Sequence, residues 1–348
     1  MPAQSASGPG APRAGRLHQP VKRVADQRIR VEAPEGAGEL PVYANRPIDA
    51  PAPGIRQAFI IVHGTLRNAD DYYAIGLKVL AQAGEDGRHS LLVAPQFLTE
   101  PDVRAHSLPG QVLAWSQNGW KDGAAARRPA PISSFSAFDA LLAHFADRRL
   151  YPDLSSVIVV GHSAGAQAVQ RYAVAGQGEA ALTRAGIAVR YVVANPSSYA
   201  YFDEQRPAPA GGFAPADAGA CPSAVQWKYG MAMAPPYVSA QDGGTIEARY
   251  AARKVTYLLG MNDTDPRRHF IDRSCAAMAQ GPYRLARGLA YFDYVRRRHP
   301  SGLRQSLVEV PGVGHDGAGM LTSACGMAVL FGRKPPASCP ATLETGLE

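Results

Sequence analysis

The chain has 348 residues, 46% hydrophobic and 19% charged, a balance that supplies a large buried core and excludes a disordered protein. Its formal charge is +7, but the arginines are scattered, and the densest run, Arg296, Arg297 and Arg298, falls at a predicted helix end where cations favour the carboxyl-terminal dipole. The excess therefore reads as solvated surface, and nucleic acid is not the expected partner.

Residues 1–27, rich in Ala, Gly, Pro and Ser to about Gln19, are expected to lack regular structure. Residues 1–30 show no apolar centre of the kind a secretory signal carries, and no apolar run is long enough to span a bilayer. From residue 28 onward, short apolar strands alternate with helical stretches, the rhythm of one α/β domain over 28–332 with a mainly parallel sheet flanked by helices. Residues 28–31 and 40–44 predict a hairpin at the sheet edge. The unbroken apolar run 58–62 predicts a strand covered on both faces. A helix over 70–83, a strand over 90–94 and an amphipathic helix over 135–149 follow. Strands are expected at 157–160, 190–194, 254–259 and 306–310, and late helices over 282–298 and 320–331.

Residues 196–249 break this rhythm. They are rich in Pro, Gly, Ala and aromatics and lie between two core strands, which predicts an irregular cap or lid over the carboxyl ends of the strands. Residues 333–348 are expected to form a tail. Cys221, Cys275, Cys325 and Cys339 include no CxxC pair, which argues against a zinc or thioredoxin-type site. Four spread cysteines in a loop-rich region fit two disulfides and an extracytoplasmic compartment. Cys221 with Cys275 and Cys325 with Cys339 are the favoured pairings, although spacing does not establish connectivity. The plainer alternative is four reduced thiols in a cytosolic enzyme.

The chemistry centres on Gly161, His162, Ser163, Ala164 and Gly165, which follow the strand run Val157, Ile158, Val159, Val160. A strand, a sharp Gly-x-Ser-x-Gly turn and a helix leave a serine hydroxyl exposed at the top of a sheet. The plainer alternative is an ordinary turn with a capping serine. A serine nucleophile needs a base within hydrogen-bond reach, and the base needs a carboxylate to orient it. His315 follows the last strand in the glycine-rich loop 311–317, where it can lean over the sheet's end. Asp263 follows the strand over 254–259 and is preferred as the acid because it lies nearer the strand end, with Asp265 as the alternative. His162 is expected to pack beneath the turn, and Asp316, adjacent to the histidine, is badly placed to orient it. An oxyanion hole needs two aimed N–H groups. One is assigned to Ala164; the other to Thr65 in the loop His63, Gly64, Thr65, Leu66, with Leu66 second.

His63–Gly64, the Gly161–Gly165 turn, Asp263 and His315, taken in order, resemble the α/β-hydrolase superfamily over roughly residues 28–332. The resemblance implies an α/β-hydrolase fold, with a sheet of the eight-stranded type, and Ser-His-Asp hydrolysis. Thr65 and Leu66 stand where many lipases carry further glycines, so catalytic class transfers and substrate does not. The expectation is a carboxylic ester hydrolase of serine-esterase type, working through an acyl-enzyme on a small-molecule or polymeric ester, without metal or organic cofactor. An amidase or peptidase using the same triad and a non-catalytic binding protein of the same fold are the alternatives. Oligomeric state is left open. His63, Leu66, Trp115, Trp120, Tyr199 and Trp227 are candidate substrate contacts, since aromatic side chains above a serine can grip an acyl group. The competing reading makes them the cap's own small core. Lys121, Arg127 and Arg128 read as a solvated loop.

Overall fold

A computed structural model describes residue 15 and residues 17–343. Nine strands form the main sheet: β1 (Gln27–Ala33), β2 (Gly36–Ala44), β3 (Gln57–Val62), β4 (Ser90–Pro95), β5 (Ser156–His162), β6 (Ala188–Ala194), β7 (Val255–Gly260), β8 (Gln305–Val310) and β9 (Ala341–Thr342). Their order is β1-β2-β4-β3-β5-β6-β7-β8-β9. The five pairings from β4 to β8 are parallel, whereas β1 with β2, β2 with β4, and β8 with β9 are antiparallel. Ala58, Ile60 and Val62 of β3 face one apolar layer and Phe59 and Ile61 the other, which is why this strand has no polar alternation.

Helices cover both faces. On the first lie α2 (Ser134–Phe145), α3 (Ala164–Ala175) and α5 (Arg284–Arg298), with Phe138, Val169 and Tyr291 packed into one core. On the second lie α1 (Ala69–Ala83), α6 (Gly317–Thr322) and α7 (Ala324–Leu330), with Val79, Met320 and Val329 in the other. The single late helix expected over 320–331 is two. Ser323 takes an extended ψ of 159°, and its hydroxyl accepts the Gly326 N–H to begin α7.

Parts of both terminal stretches are built into the fold. Of residues 1–27, residues 1–14 and 16 lie outside the described residues. Val21 and Ala25 are buried, and their N–H groups donate to Asp102 Oδ1 (2.8 Å) and Gln96 Oε1 (2.9 Å). Burial of apolar side chains with satisfied backbone holds residues 21–25. Of the tail, residues 341–342 add the ninth strand, and Cys339 is bonded to Cys325. The stretch 196–249 contains a two-stranded ribbon (Gln205–Pro207 with Phe213–Pro215), a turn at Pro222–Val225 and the helix α4 (Gly243–Ala252). The Cys221–Cys275 disulfide ties it to the loop after β7. No helix among the described residues is long and apolar enough to cross a membrane.

Candidate active site

Ser163 sits between the end of β5 and the first residue of α3, at φ 60° and ψ −119°. A non-glycine residue at that φ is strained by about 1–3 kcal/mol and needs surroundings that hold it there. The flanking glycines permit it. A Cβ on Gly161 would lie 2.3 Å from the Gly165 carbonyl carbon, and one on Gly165 would lie 2.2 Å from the Val62 oxygen. The strand, the turn and the neighbouring β3 therefore meet at backbone distance.

His315 stands in the loop between β8 and α6. Its Nε2 is 2.9 Å from Ser163 Oγ, and its Nδ1 is 2.7 Å from Asp263 Oδ2. An Nδ1–H donated to the carboxylate leaves Nε2 free to accept the serine proton. Burial lowers the basicity of His315; the hydrogen bond to Asp263 opposes this, and the charges of Arg284 and Arg268 add to it, leaving the ring below its ordinary pKa. Asp263 is buried, and its Oδ1 lies 3.5 Å from Nη1 of the fully buried Arg284, whose Nε donates to Ser197 Oγ (2.9 Å). Asp265 is exposed, and its Oδ1 accepts the Arg267 N–H (2.8 Å) instead of reaching the imidazole. Asp316 caps α6 by accepting from Ala318 and Gly319. His162 packs beneath the turn, its Nδ1 3.0 Å from the Tyr72 hydroxyl and its ring 4.7 Å from that of His315.

Ala164 follows the serine directly, and Thr65 lies in the loop after β3, the strand paired with β5. No acceptor among the described residues engages either N–H, and Ala164, first in α3, carries one of the donors a helix start leaves unpaired. Leu66 follows, half-buried. The loop is held from behind by Arg67, which sits at φ 59° and bonds Asp102 through Nε (2.8 Å). Its Nη1 also donates to Gln117 Oε1 (2.7 Å), whose amide in turn donates to the Thr65 carbonyl (3.3 Å).

Several residues read as substrate contacts lie elsewhere. His63 is fully buried; its Nε2 accepts the Phe97 N–H (3.0 Å), its Nδ1 faces the Gly64 carbonyl (2.9 Å), and burial pushes its pKa down to about 4. Trp115 and Trp120 are fully buried against Phe97. Tyr199 is fully buried and stacked on Tyr291 at 4.5 Å. Trp227 is half-buried and spends its indole N–H on the Asp122 carbonyl (2.6 Å). Trp115, Trp120 and Tyr199 belong to the main apolar core and His63 packs on Trp120, so the core reading replaces the substrate reading for these four. Lys121 is not in a solvated loop but buried on a turn (Gly119–Lys121) packed on α3.

Asn195, Arg284 and Arg67 carry structure at the site that sequence reasoning missed. Asn195, at φ 48°, accepts the Gly260 N–H (2.8 Å) and donates to the Gly314 carbonyl (3.2 Å), joining the ends of β6 and β7 to the His315 loop. The signal for Arg284 was periodicity: Arg284, Arg287, Tyr291 and Val295 repeat on the buried face of α5. A cavity of about 500 Å³ opens beside His315, lined by Asp265, Arg267, Arg268, His269 and Phe270. Among the described residues no cluster of three or more His, Cys, Asp or Glu side chains could hold a metal ion.

Comparison with known proteins agrees with this architecture. The chain is 22% identical to poly(aspartic acid) hydrolase-1 from Sphingomonas sp. KT-1, covering 87% of this chain and 96% of that one with a TM-score of 0.59. It is 22% identical to LpqC, a poly(3-hydroxybutyrate) depolymerase from Bordetella parapertussis, over 90% and 93% of the two chains with a TM-score of 0.58. No curated protein matches the sequence. The family model described as "Alpha/beta hydrolase family" matches residues 59–326. With that match over most of its length and the serine turn at the carboxyl end of a parallel sheet, the chain belongs to the alpha/beta hydrolase family.

Proposed function

We propose that the protein is a serine hydrolase that cleaves carboxylic esters, with Ser163 as nucleophile, His315 as base and Asp263 as orienting acid. The observation that carries this reading is the unbroken chain Asp263 Oδ2, His315 Nδ1, His315 Nε2, Ser163 Oγ, with separations of 2.7 and 2.9 Å. As Oγ attacks the carbonyl carbon, its proton passes to Nε2. The negative charge that develops on the carbonyl oxygen is received by the N–H groups of Thr65 and Ala164. His315 then returns the proton to the departing alcohol oxygen as the ester C–O bond breaks, leaving an acyl-serine. Water, deprotonated by the same Nε2, attacks that acyl-serine, and Oγ leaves with the proton. Neither a metal nor an organic cofactor enters this scheme. A small ester or one linkage of a polyester would satisfy it equally.

The test is hydrolysis of p-nitrophenyl esters and labelling by a fluorophosphonate, for the parent and for Ser163→Ala. Loss of both in the variant is expected; ester turnover that survives the substitution overturns the assignment. A parent enzyme that takes no label would instead favour a binding protein of the same fold. Faster turnover of an amide than of its matched ester would favour an amidase.

We further infer an oxidising, extracytoplasmic setting, supported by the Cys221–Cys275 and Cys325–Cys339 pairs, with no free cysteine among the described residues. Alkylation of four thiols in the protein purified without reductant would refute it.

A further inference from the structure

The cavity beside His315 is walled mainly by basic and aromatic side chains. Arg267, Arg268 and Phe270 come from one exposed loop, and Phe270 is 40% exposed at φ 59°. Neither guanidinium has a carboxylate within 4 Å among the described residues, a state they share with other surface arginines such as Arg127 and Arg184, but these two stand in a concavity beside His315. The one acidic side chain in the wall, Asp265, has an oxygen occupied by the Arg267 N–H. Arg268 is near enough to His315 to oppose its protonation. The loop is rigidly based: the Asp272 carboxylate accepts from the Tyr229 hydroxyl (2.6 Å), Arg287 Nη1 donates to the Asp272 carbonyl (2.9 Å), and Cys275 is bonded to Cys221. Cations presented in a concavity without intramolecular partners are suited to a carboxylate that arrives with the ligand.

The position of the cavity says which part of the ligand that is. His315 must hand its proton to the alcohol oxygen, so the space bordering the imidazole receives the leaving group, whereas the acyl carbonyl faces the Thr65 and Ala164 amides. We propose that this cavity is a leaving-group subsite for an alcohol that itself bears a carboxylate, that is, an ester of a hydroxy acid, with Arg267 and Arg268 receiving the carboxylate and Phe270 its apolar stem. The proposal rests on the ester-hydrolase reading above. It concerns substrate choice and adds no chemical step: the hydroxy acid departs with the proton from Nε2.

Two butanoyl esters with similar leaving groups test it: 4-(butanoyloxy)benzoate, which is anionic on the alcohol side, and its neutral carboxamide counterpart. The readout is the ratio of kcat/KM for the two. The parent enzyme is expected to favour the carboxylate ester at least tenfold. The double variant Arg267→Gln with Arg268→Gln should bring the ratio below twofold, and 0.5 M NaCl should reduce the parent's ratio in the same direction. Both side chains are exposed, and an unchanged Tm with fluorophosphonate labelling of Ser163 identifies a folded variant. A parent ratio near one, or a preference that survives the double substitution, overturns the subsite while leaving the hydrolase reading intact. No turnover of either ester, with no labelling, overturns the hydrolase reading and the subsite with it.

Discussion

One side-chain amide, that of Asn195, fastens the end of β7 to the His315 loop, and such a residue would act on rate through geometry. Asn195→Ala removes both bonds and should lower kcat about tenfold or more with KM changed less than threefold, measured on one p-nitrophenyl ester. A rise in KM at constant kcat would instead place Asn195 in substrate binding. For the acid, Asp263→Asn keeps the size of the side chain but favours the wrong imidazole tautomer, so kcat should fall on the order of a thousandfold or more. Asp265→Asn should cost less than threefold. The reverse pattern would move the acid to Asp265. Lys121 offers a pH prediction. Burial, with Lys228 adding to it, pushes its ammonium down to about 8. An unfolded lysine keeps its proton to about 10.4, so below pH 8 the folded state bears the full cost of the buried charge, about 3 kcal/mol. That cost fades as pH rises toward 10.4. Lys121→Met should therefore be more stable than the parent at pH 7, by denaturant midpoint, with the gap closing by pH 10. Ser163, Asp263 and His315 were legible because each follows a strand, which tells where its Cα must be. Asn195 also follows a strand, yet its role depends on which loops meet there, and spacing along the chain does not encode that.

At the scale of elements, the strands were readable and the helix ends less so. The run 58–62 and the run before Ser163 have no polar residue to suggest a solvent face, and both are central strands. The 320–331 stretch is mostly apolar on both sides of Ser323, so the turn that divides α6 from α7 rests on one residue, a favoured helix cap that helix interiors also tolerate. The aromatic residues misled for a related reason. Large rings serve a core as well as a pocket, and only depth distinguishes the two. The edge strand β9 is too short to persist on two residue pairs, and the Cys325–Cys339 bond, spanning a sequence separation of 14, holds it. Replacing both cysteines by serine should lower stability by about 2–4 kcal/mol, read by urea titration. Ester turnover at 25 °C should persist, because β9 is at the sheet edge and the serine turn follows a central strand. Equal urea midpoints would show that β9 is held by other contacts.

Across the molecule, two apolar layers sandwich one sheet, and the polar interior is concentrated at the carboxyl ends of its strands, where Arg67, Arg284 and Arg287 are wholly buried. Each such guanidinium must be satisfied by groups distant in sequence. This is the part of the site that a linear reading could not supply. Arg67 shows how far the dependence extends. Besides Asp102 and Gln117, it donates to the carbonyls of Leu17 (3.0 Å) and Gln19 (2.8 Å). Deleting residues 1–26 should therefore leave a buried cation short of two acceptors and the Thr65 loop loosely backed. We expect kcat to fall at least tenfold while fluorophosphonate still labels Ser163. Full activity after the deletion would show that Arg67 alone suffices.

The amino-terminal segment that backs Arg67 also has a practical meaning. Lys22 and Arg23 lie between Val21, bonded to Asp102, and Ala25, bonded to Gln96. Trypsin cutting there would release the amino-terminal segment without touching Ser163. A preparation nicked at this point would migrate almost normally on a gel and still lose turnover, so specific activity should be tracked against the intact amino-terminal peptide rather than against total protein.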